Sequence, residues 1–496
     1  MKKKVLGICI GESSQTRITF ISKLMPTSGE YVTLEYDGKK VLGMIESLTR
    51  GSPSISGDIL DPTVVEKILR YESVDEHYVR GRVQLLCDVE TQELLKSPPP
   101  PGTRINKADK QTLKKIFGEG HISIGNLISN PAVEVRVDLN KMITRHLAIL
   151  AITGAGKSNT VSVIVEGILN LKGMPIIFDM HSEYVDAKFT GGVKRIDPSL
   201  NPLYLSRREF QVLLDVGKDA HVQARYLRKA YFEAQKKIRD GEKRDFIYHV
   251  LDSLREIQDT EENSTSGEKS ALIGIINKVE DFNHKFRGLV NSSTNNIVDT
   301  LKQGSANVID LGQVDEDYAD VIVSHVLRKL LNKRKINKVP PAFCIIEEAH
   351  LLAPMYTSTL SKHWINRIAR EGRKFGLGLC LVSQRPKNLD PNSLSQANNA
   401  IVMRLIEPSD QRHVQKTSER LSDDLLAQLP SLNIGEAVVL GLMTKIPALV
   451  KIRKMEGKLI GNDPNIVEEW QLKIKEKKKK TEEQHHEINA LYEGMD

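Results

Sequence analysis

Ala151-Ile152-Thr153-Gly154-Ala155-Gly156-Lys157-Ser158 decides how this 496-residue chain is to be read. The stretch matches a phosphate-binding loop at every position but the first, where Ala151 stands for glycine. Gly154 and Gly156 let the backbone fold tightly, so that several N–H groups converge on an anion at a helix N-terminus. Lys157 is placed to reach the β- and γ-phosphates of ATP, and Ser158 to hold Mg²⁺. An apolar strand pattern over 146–152 precedes the loop and a helical pattern continues through Leu171, which is the setting such a loop requires. Thr153, Gly154, Ala155, Gly156, Lys157, Ser158 and Asn159 are therefore the expected nucleotide-binding residues.

Outward from the loop, short apolar runs at 174–179, 307–311, 342–347 and 378–383 read as buried parallel strands of an α/β core. The fourth of these, counting the loop strand as the first, runs through Phe343-Cys344-Ile345-Ile346 and emerges as Glu347-Glu348. Ligands of open α/β sheets gather at such strand ends. Glu347, where aspartate is usual, is expected to support Mg²⁺ through water, and Glu348 to act as general base on the attacking water. The next strand ends in Ser383-Gln384-Arg385-Pro386, and the Gln384 amide is the expected γ-phosphate sensor. The stretch 367–374 is either the solvated basic end of a helix or an arginine finger offered to a neighbouring subunit. Asp179-Met180-His181-Ser182-Glu183 reads as a polar cluster lining the site, with Asp179 organising it, rather than as a transition-metal centre, because no further His or Cys lies close by. Arg145, just before the loop strand, is a structural cation or a phosphate contact.

The first hundred residues carry strand patterns at 5–10, 17–21, 31–36, 40–48 and 78–89, punctuated by turn signals such as Asp37-Gly38, and predict a small β-barrel. Four consecutive prolines, 98–101, then make a stiff connector. The organisation expected is a barrel over 1–97, a linker over 98–142 with a candidate last barrel strand at 133–137, core over 143–204, a helical insertion over 205–291, core again over 292–455 with a terminal hairpin, and a charged extension over 456–496. That extension is a solvated tail, a nucleic-acid arm or a segment packed on a neighbour. A net charge of +7 permits a polyanionic partner without demanding one. Four scattered cysteines show neither metal spacing nor a disulfide framework, and no apolar run is long enough for a bilayer, so a reducing cytoplasm and no membrane are expected.

These motifs together resemble the HerA hexameric DNA translocases, in the FtsK–HerA branch of RecA-like P-loop ATPases. The resemblance rests on Thr-Arg-His-Leu at 144–147, Thr-Gly-Ala-Gly-Lys-Ser at 153–158, Asp-Met-His-Ser-Glu-Tyr at 179–184, Glu347-Glu348, Arg-Glu-Gly-Arg-Lys-Phe-Gly at 370–376 and Ser-Gln-Arg-Pro at 383–386. The departures are Ala151 for Gly, Glu347 for Asp and Met180 where relatives often have Pro. The resemblance implies a RecA-like P-loop ATPase core with an N-terminal β-barrel and a helical insertion, assembled as a homo-hexamer that draws double-stranded DNA through its pore. It implies the NurA nuclease as partner, with the barrel as its platform, in DNA-end resection for double-strand break repair beside Mre11–Rad50. It makes Arg373 the finger, Arg145 a phosphate contact, and Gly457 and Lys458 candidates for closing over the base. The rival readings are a conjugative-type pump and a nucleotide-gated DNA-binding scaffold.

Overall fold

Alternating β-branched and aromatic residues build the first element of the fold. The computed structural model describes residues 5–455 except 72–76, 218, 243, 261–264, 286–288 and 418–420, so Gly457, Lys458 and the extension from 456 lie outside the described residues. Strands β1 (Val5–Ile10), β2 (Arg17–Ser22), β3 (Tyr31–Tyr36), β4 (Lys39–Gly51), β5 (Tyr78–Asp88) and β6 (Arg104–Lys107) close a barrel in the order β1-β2-β5-β4-β3-β6. Its interior is filled by Ile18, Phe20, Val32, Leu34, Val41, Ile45, Val83 and Ile105. The β3–β4 hairpin turns on Asp37 and Gly38, both at positive φ (47° and 71°), as a two-residue hairpin loop with right-handed strand twist demands.

The strand that closes this barrel is not the one expected. β6 lies just past the prolines, whereas the candidate at 133–137 forms β8 (Glu134–Val137), which pairs with β7 (Ile122–Leu127) at the edge of the second sheet. In Arg104-Ile105-Asn106-Lys107 only one residue is apolar, so no alternation announces a strand, and a four-residue β pattern carries no information about which sheet it joins.

The second sheet continues with β9 (Leu147–Leu150), β10 (Pro175–Asp179), β11 (Val193–Ile196), β12 (Ala306–Asp310), β13 (Ala342–Ile346), β14 (Leu377–Ser383), β15 (Asn399–Val402), β16 (Glu436–Leu440) and β17 (Ala448–Ile452). The spatial order is β11-β12-β10-β13-β14-β9-β15-β16-β17-β7-β8, parallel from β11 to β15 and antiparallel beyond. Every residue of β9, β10, β12, β13, β14 and β15 is buried, as expected for parallel strands covered by helices. Edge strand β11 went unread because Lys194 and Arg195 break its apolar pattern. Over 205–291, between β11 and β12, the described residues form four α-helices, Arg207–Leu213, His221–Arg239, Phe246–Thr260 and Ser266–Lys285. Phe210, Tyr231 and Phe246 pack ring against ring at their centre. Buried Glu209 joins this group to the core, accepting from Arg328 Nε and Nη2 at 3.1 and 2.8 Å. The barrel is tied to the core by Arg17, which meets buried Glu46 at 3.1 Å and Asp424 at 3.5 Å.

His146, at φ 59°, shows how the sheet is fastened beside the loop strand. Its Nε2 lies 3.0 Å from the Ala369 carbonyl, and its Nδ1 accepts from the Leu379 amide at 3.0 Å. Only a neutral ring protonated at Nε2 satisfies both, and burial holds its pKa down at about 4. An unfolded imidazole takes a proton near pH 6.5, so the unfolded chain binds more protons between pH 6.5 and 4. This stabilisation is thus complete above 6.5 and declines as pH falls toward 4, by about 3 kcal/mol in all. Denaturant unfolding of His146→Asn across this range should show a shallower acid loss than the parent chain; identical pH slopes would remove His146 as the cause.

Candidate nucleotide site

The strand order places β14 between β13 and β9, so the tips of all three converge. β9 runs into the loop, and buried Ala151 ends it by donating its N–H to the Ser383 carbonyl at 3.2 Å. Gly154 and Gly156 sit at φ 76° and 107°. A Cβ on Gly156 would lie 3.2 Å from Met403 Cε in a conformation that side chains rarely adopt, which explains the glycine. Helix Lys157–Asn170 starts without a side-chain cap, leaving its first amides pointed into the loop. An anion fits there.

Side chains converge on this cradle. Lys157 Nζ is 3.4 Å from Glu348 Oε1, Ser158 donates to Glu183 Oε2 at 2.5 Å, and the Thr153 hydroxyl bonds the Gln384 amide oxygen. Asn159 instead clasps the chain after β17, donating to the Arg453 carbonyl at 2.9 Å and accepting from the Met455 amide at 2.9 Å. Asp179 is fully buried and takes the amides of His181, Glu183 and Tyr184 at 3.3, 3.1 and 2.8 Å, which shapes the turn that delivers Glu183.

The two glutamates differ sharply. Glu347 is buried, and Tyr184 donates its hydroxyl to Oε1 at 2.6 Å. Burial, reinforced by the charges of Glu183 and Asp179, pushes its pKa to about 8. Glu348 adopts φ 42° at the start of the short helix Ala349–Leu352, a left-handed position uncommon outside glycine. Its Oε2 lies 3.3 Å from His350 Nδ1, which is also 3.2 Å from the Ser383 hydroxyl. Glu183, Tyr184 and His350 were not singled out in the sequence. The first two stood in the quoted 179–184 motif; His350 gave no signal, because its role depends on β14 lying beside β13.

Among the described residues no group of three or more His, Cys, Asp or Glu could hold a metal alone. Mg²⁺ needs no such group: it commonly takes one or two protein oxygens and completes its shell with phosphate and water. Ser158 and Glu347 fit that demand, and a divalent cation beside Glu347 would oppose the burial and the neighbouring negative charge that raise its pKa. Adding Mg²⁺ to the nucleotide-bound protein at pH 7 should therefore release nearly one proton per site. Calorimetry in two buffers of different ionisation heat measures it, and an equal release from Glu347→Gln would reassign the proton.

Two predicted residues are not brought to the loop of their own chain. Arg145 ends helix Leu139–Arg145 on the far side of β9 from the loop. Arg373 lies in the turn Gly372–Phe375 that leads into β14, at the opposite end from Gln384. It is exposed and, among the described residues, has no ion pair or side-chain hydrogen bond.

A phosphate cradle on β9, an acid pair on β13 and an amide on the intervening β14 define a P-loop ATPase. Residues 122–330 match the family model "Helicase HerA, central domain", and residues 6–91 match "HAS barrel domain". The chain is 40% identical over 490 residues to the "DNA double-strand break repair helicase HerA" of Saccharolobus solfataricus, covering 96% of this chain and 97% of that one. It is 41% identical over 486 residues to the protein of the same name from Sulfurisphaera tokodaii, covering 94% and 96%. This chain belongs to the HerA helicase family. Among solved structures, VirB4 of Thermoanaerobacter pseudethanolicus shares the fold, with a TM-score of 0.53 at 16% identity over 69% of this chain and 98% of that one. Among the described residues no helix is long and apolar enough to cross a membrane.

Proposed function

We propose that this chain is an ATP-hydrolysing motor that moves along and opens double-stranded DNA as a homo-hexameric ring, working with a NurA nuclease in resection of broken ends. The observation that carries the catalytic half is the convergence of Lys157 and Glu348 across three adjacent strand tips. The DNA half is supported by relatives that match nearly the full chain and are named for double-strand break repair.

In this reading ATP draws Lys157 from Glu348 onto the β- and γ-phosphates, and the loop amides take the remaining phosphate oxygens. Glu348, freed from that ion pair, with His350 Nδ1 3.3 Å from its Oε2, orients the attacking water and accepts its proton. Gln384 on β14 senses the γ-phosphate, and Arg373 of a neighbouring subunit offsets the charge that develops as the phosphoryl group transfers. Ser158, with support from Glu347, would hold Mg²⁺, which would supply neutralisation of phosphate charge there. Asp179 keeps the 179–184 turn in shape, and Arg145 reaches a phosphate across a subunit boundary. ATPase rates with and without duplex DNA, measured beside particle mass, test the reading: duplex-stimulated turnover by a six-subunit particle is expected. Stimulation by single strands alone would favour a pump of the conjugative type, and turnover near zero with duplex present would favour a nucleotide-gated scaffold.

A further inference from the structure

Helix Leu360–Glu371 links β13, which ends in the acid pair, to β14, which ends at Gln384. Its apolar side, with Leu360, Ile365, Ile368 and Ala369 buried, is fixed against the core. Lys362 is fixed too, donating to the Pro354 carbonyl at 2.6 Å and meeting Asp390 at 3.3 Å, and is therefore occupied inside the protein. His363, Arg367 and Arg370 are different. Spaced four and three residues apart, they form one stripe along the helix surface, with steps of about 4.5–6 Å along the axis. His363 and Arg370 are exposed and Arg367 is half-exposed. The half-buried Trp364 anchors the stripe: His363 packs edge-on against its ring at 5.3 Å, and the Arg367 guanidinium lies over it at 5.1 Å.

A third guanidinium joins from another element. Arg208, exposed at the start of the insertion helix Arg207–Leu213, is near enough that its charge, with those of Arg367 and Arg370, acts on His363. Burial, reinforced by these guanidiniums, holds the imidazole below its ordinary range. The acid on this helix end, Glu371, is shared between Lys335 at 3.0 Å and Arg367 at 3.2 Å, while Glu209 beside Arg208 is buried and held by Arg328. Among the described residues neither Arg208 nor Arg370 has an ion pair. Arg208, Arg367 and Arg370 thus give the helix and the start of the insertion a predominantly positive surface, anchored by Trp364, that suits the phosphate backbone of a nucleic acid.

We infer that Arg208, His363, Arg367 and Arg370, arrayed over Trp364, form a surface that grips DNA phosphates independently of sequence. This rests on the reading of the chain as a DNA motor, and names where on each subunit the polymer is held. The gripping helix connects the two strands that carry Glu348 and Gln384, so a DNA load on it bears on the sheet that holds both side chains.

The test uses the full-length protein and two duplexes of unrelated sequence, with affinity measured over a series of salt concentrations. Arg208→Gln and Arg367→Gln should each weaken both duplexes equally and reduce the slope of log K on log salt by about 1, and the double variant by about 2. ATP hydrolysis without DNA should be unchanged in all three. Unaltered slope and affinity would overturn the proposal, as would loss of the particle's mass together with its DNA-free turnover, which would make the surface a subunit contact. If the parent chain itself binds no duplex, the motor reading fails and this surface falls with it.

Discussion

Glu348→Gln should bind ATP at least as well as the parent chain while hydrolysing it about 10²–10⁴-fold more slowly, the range that general-base removal usually costs. The amide matches the carboxylate in shape and can still meet His350 and the space near Lys157, so the site should remain assembled. It has no basicity with which to take a proton from water. It also carries no charge to hold Lys157, which is 3.4 Å from Glu348 in this structure, so the lysine becomes freer to meet phosphate and nucleotide affinity should rise. Binding of a fluorescent nucleotide analogue beside single-turnover hydrolysis separates the two effects. Parent-like turnover would remove Glu348 from the role of base and transfer attention to Glu183.

Arg373→Ala should lower turnover by roughly 10³–10⁵-fold, the contribution an arginine finger makes to phosphoryl transfer, while leaving nucleotide affinity nearly intact. The placement of Arg373 makes the prediction specific. It stands at the opposite end of β14 from Gln384, exposed and unpaired among the described residues, so it cannot serve the loop of its own chain. If it serves a neighbour, mixing Arg373→Ala with Lys157→Ala chains should restore a fraction of the turnover, since some boundaries then pair an intact loop with an intact arginine. Mixed particles as inactive as their parents would dismiss a finger acting between subunits.

These tests aim at residues of unequal legibility. The loop could be read from eight consecutive residues because its chemistry is local: glycines allow the turn, and the lysine and serine follow at fixed offsets along one helix. The acid pair was legible for a related reason, four apolar residues and then two carboxylates being what a buried strand with a reactive tip requires. Barrel strands β1 to β5 announced themselves through alternation and through the Asp37-Gly38 turn. β6 and β11 did not, because polar residues interrupt both, and pairing partners rather than their own side chains make them strands.

The sequence by itself determined that a phosphate cradle, a pair of acids and an amide exist, each at the end of its own strand, because backbone conformation and burial pattern are encoded within a few neighbouring residues. Only the tertiary structure decided which of these strand ends meet. Lateral order in a sheet depends on pairing between segments up to hundreds of residues apart. That order puts Gln384 against Thr153, His350 between Glu348 and Ser383, and Tyr184 on Glu347, while holding Arg145 and Arg373 away from the loop in their own chain.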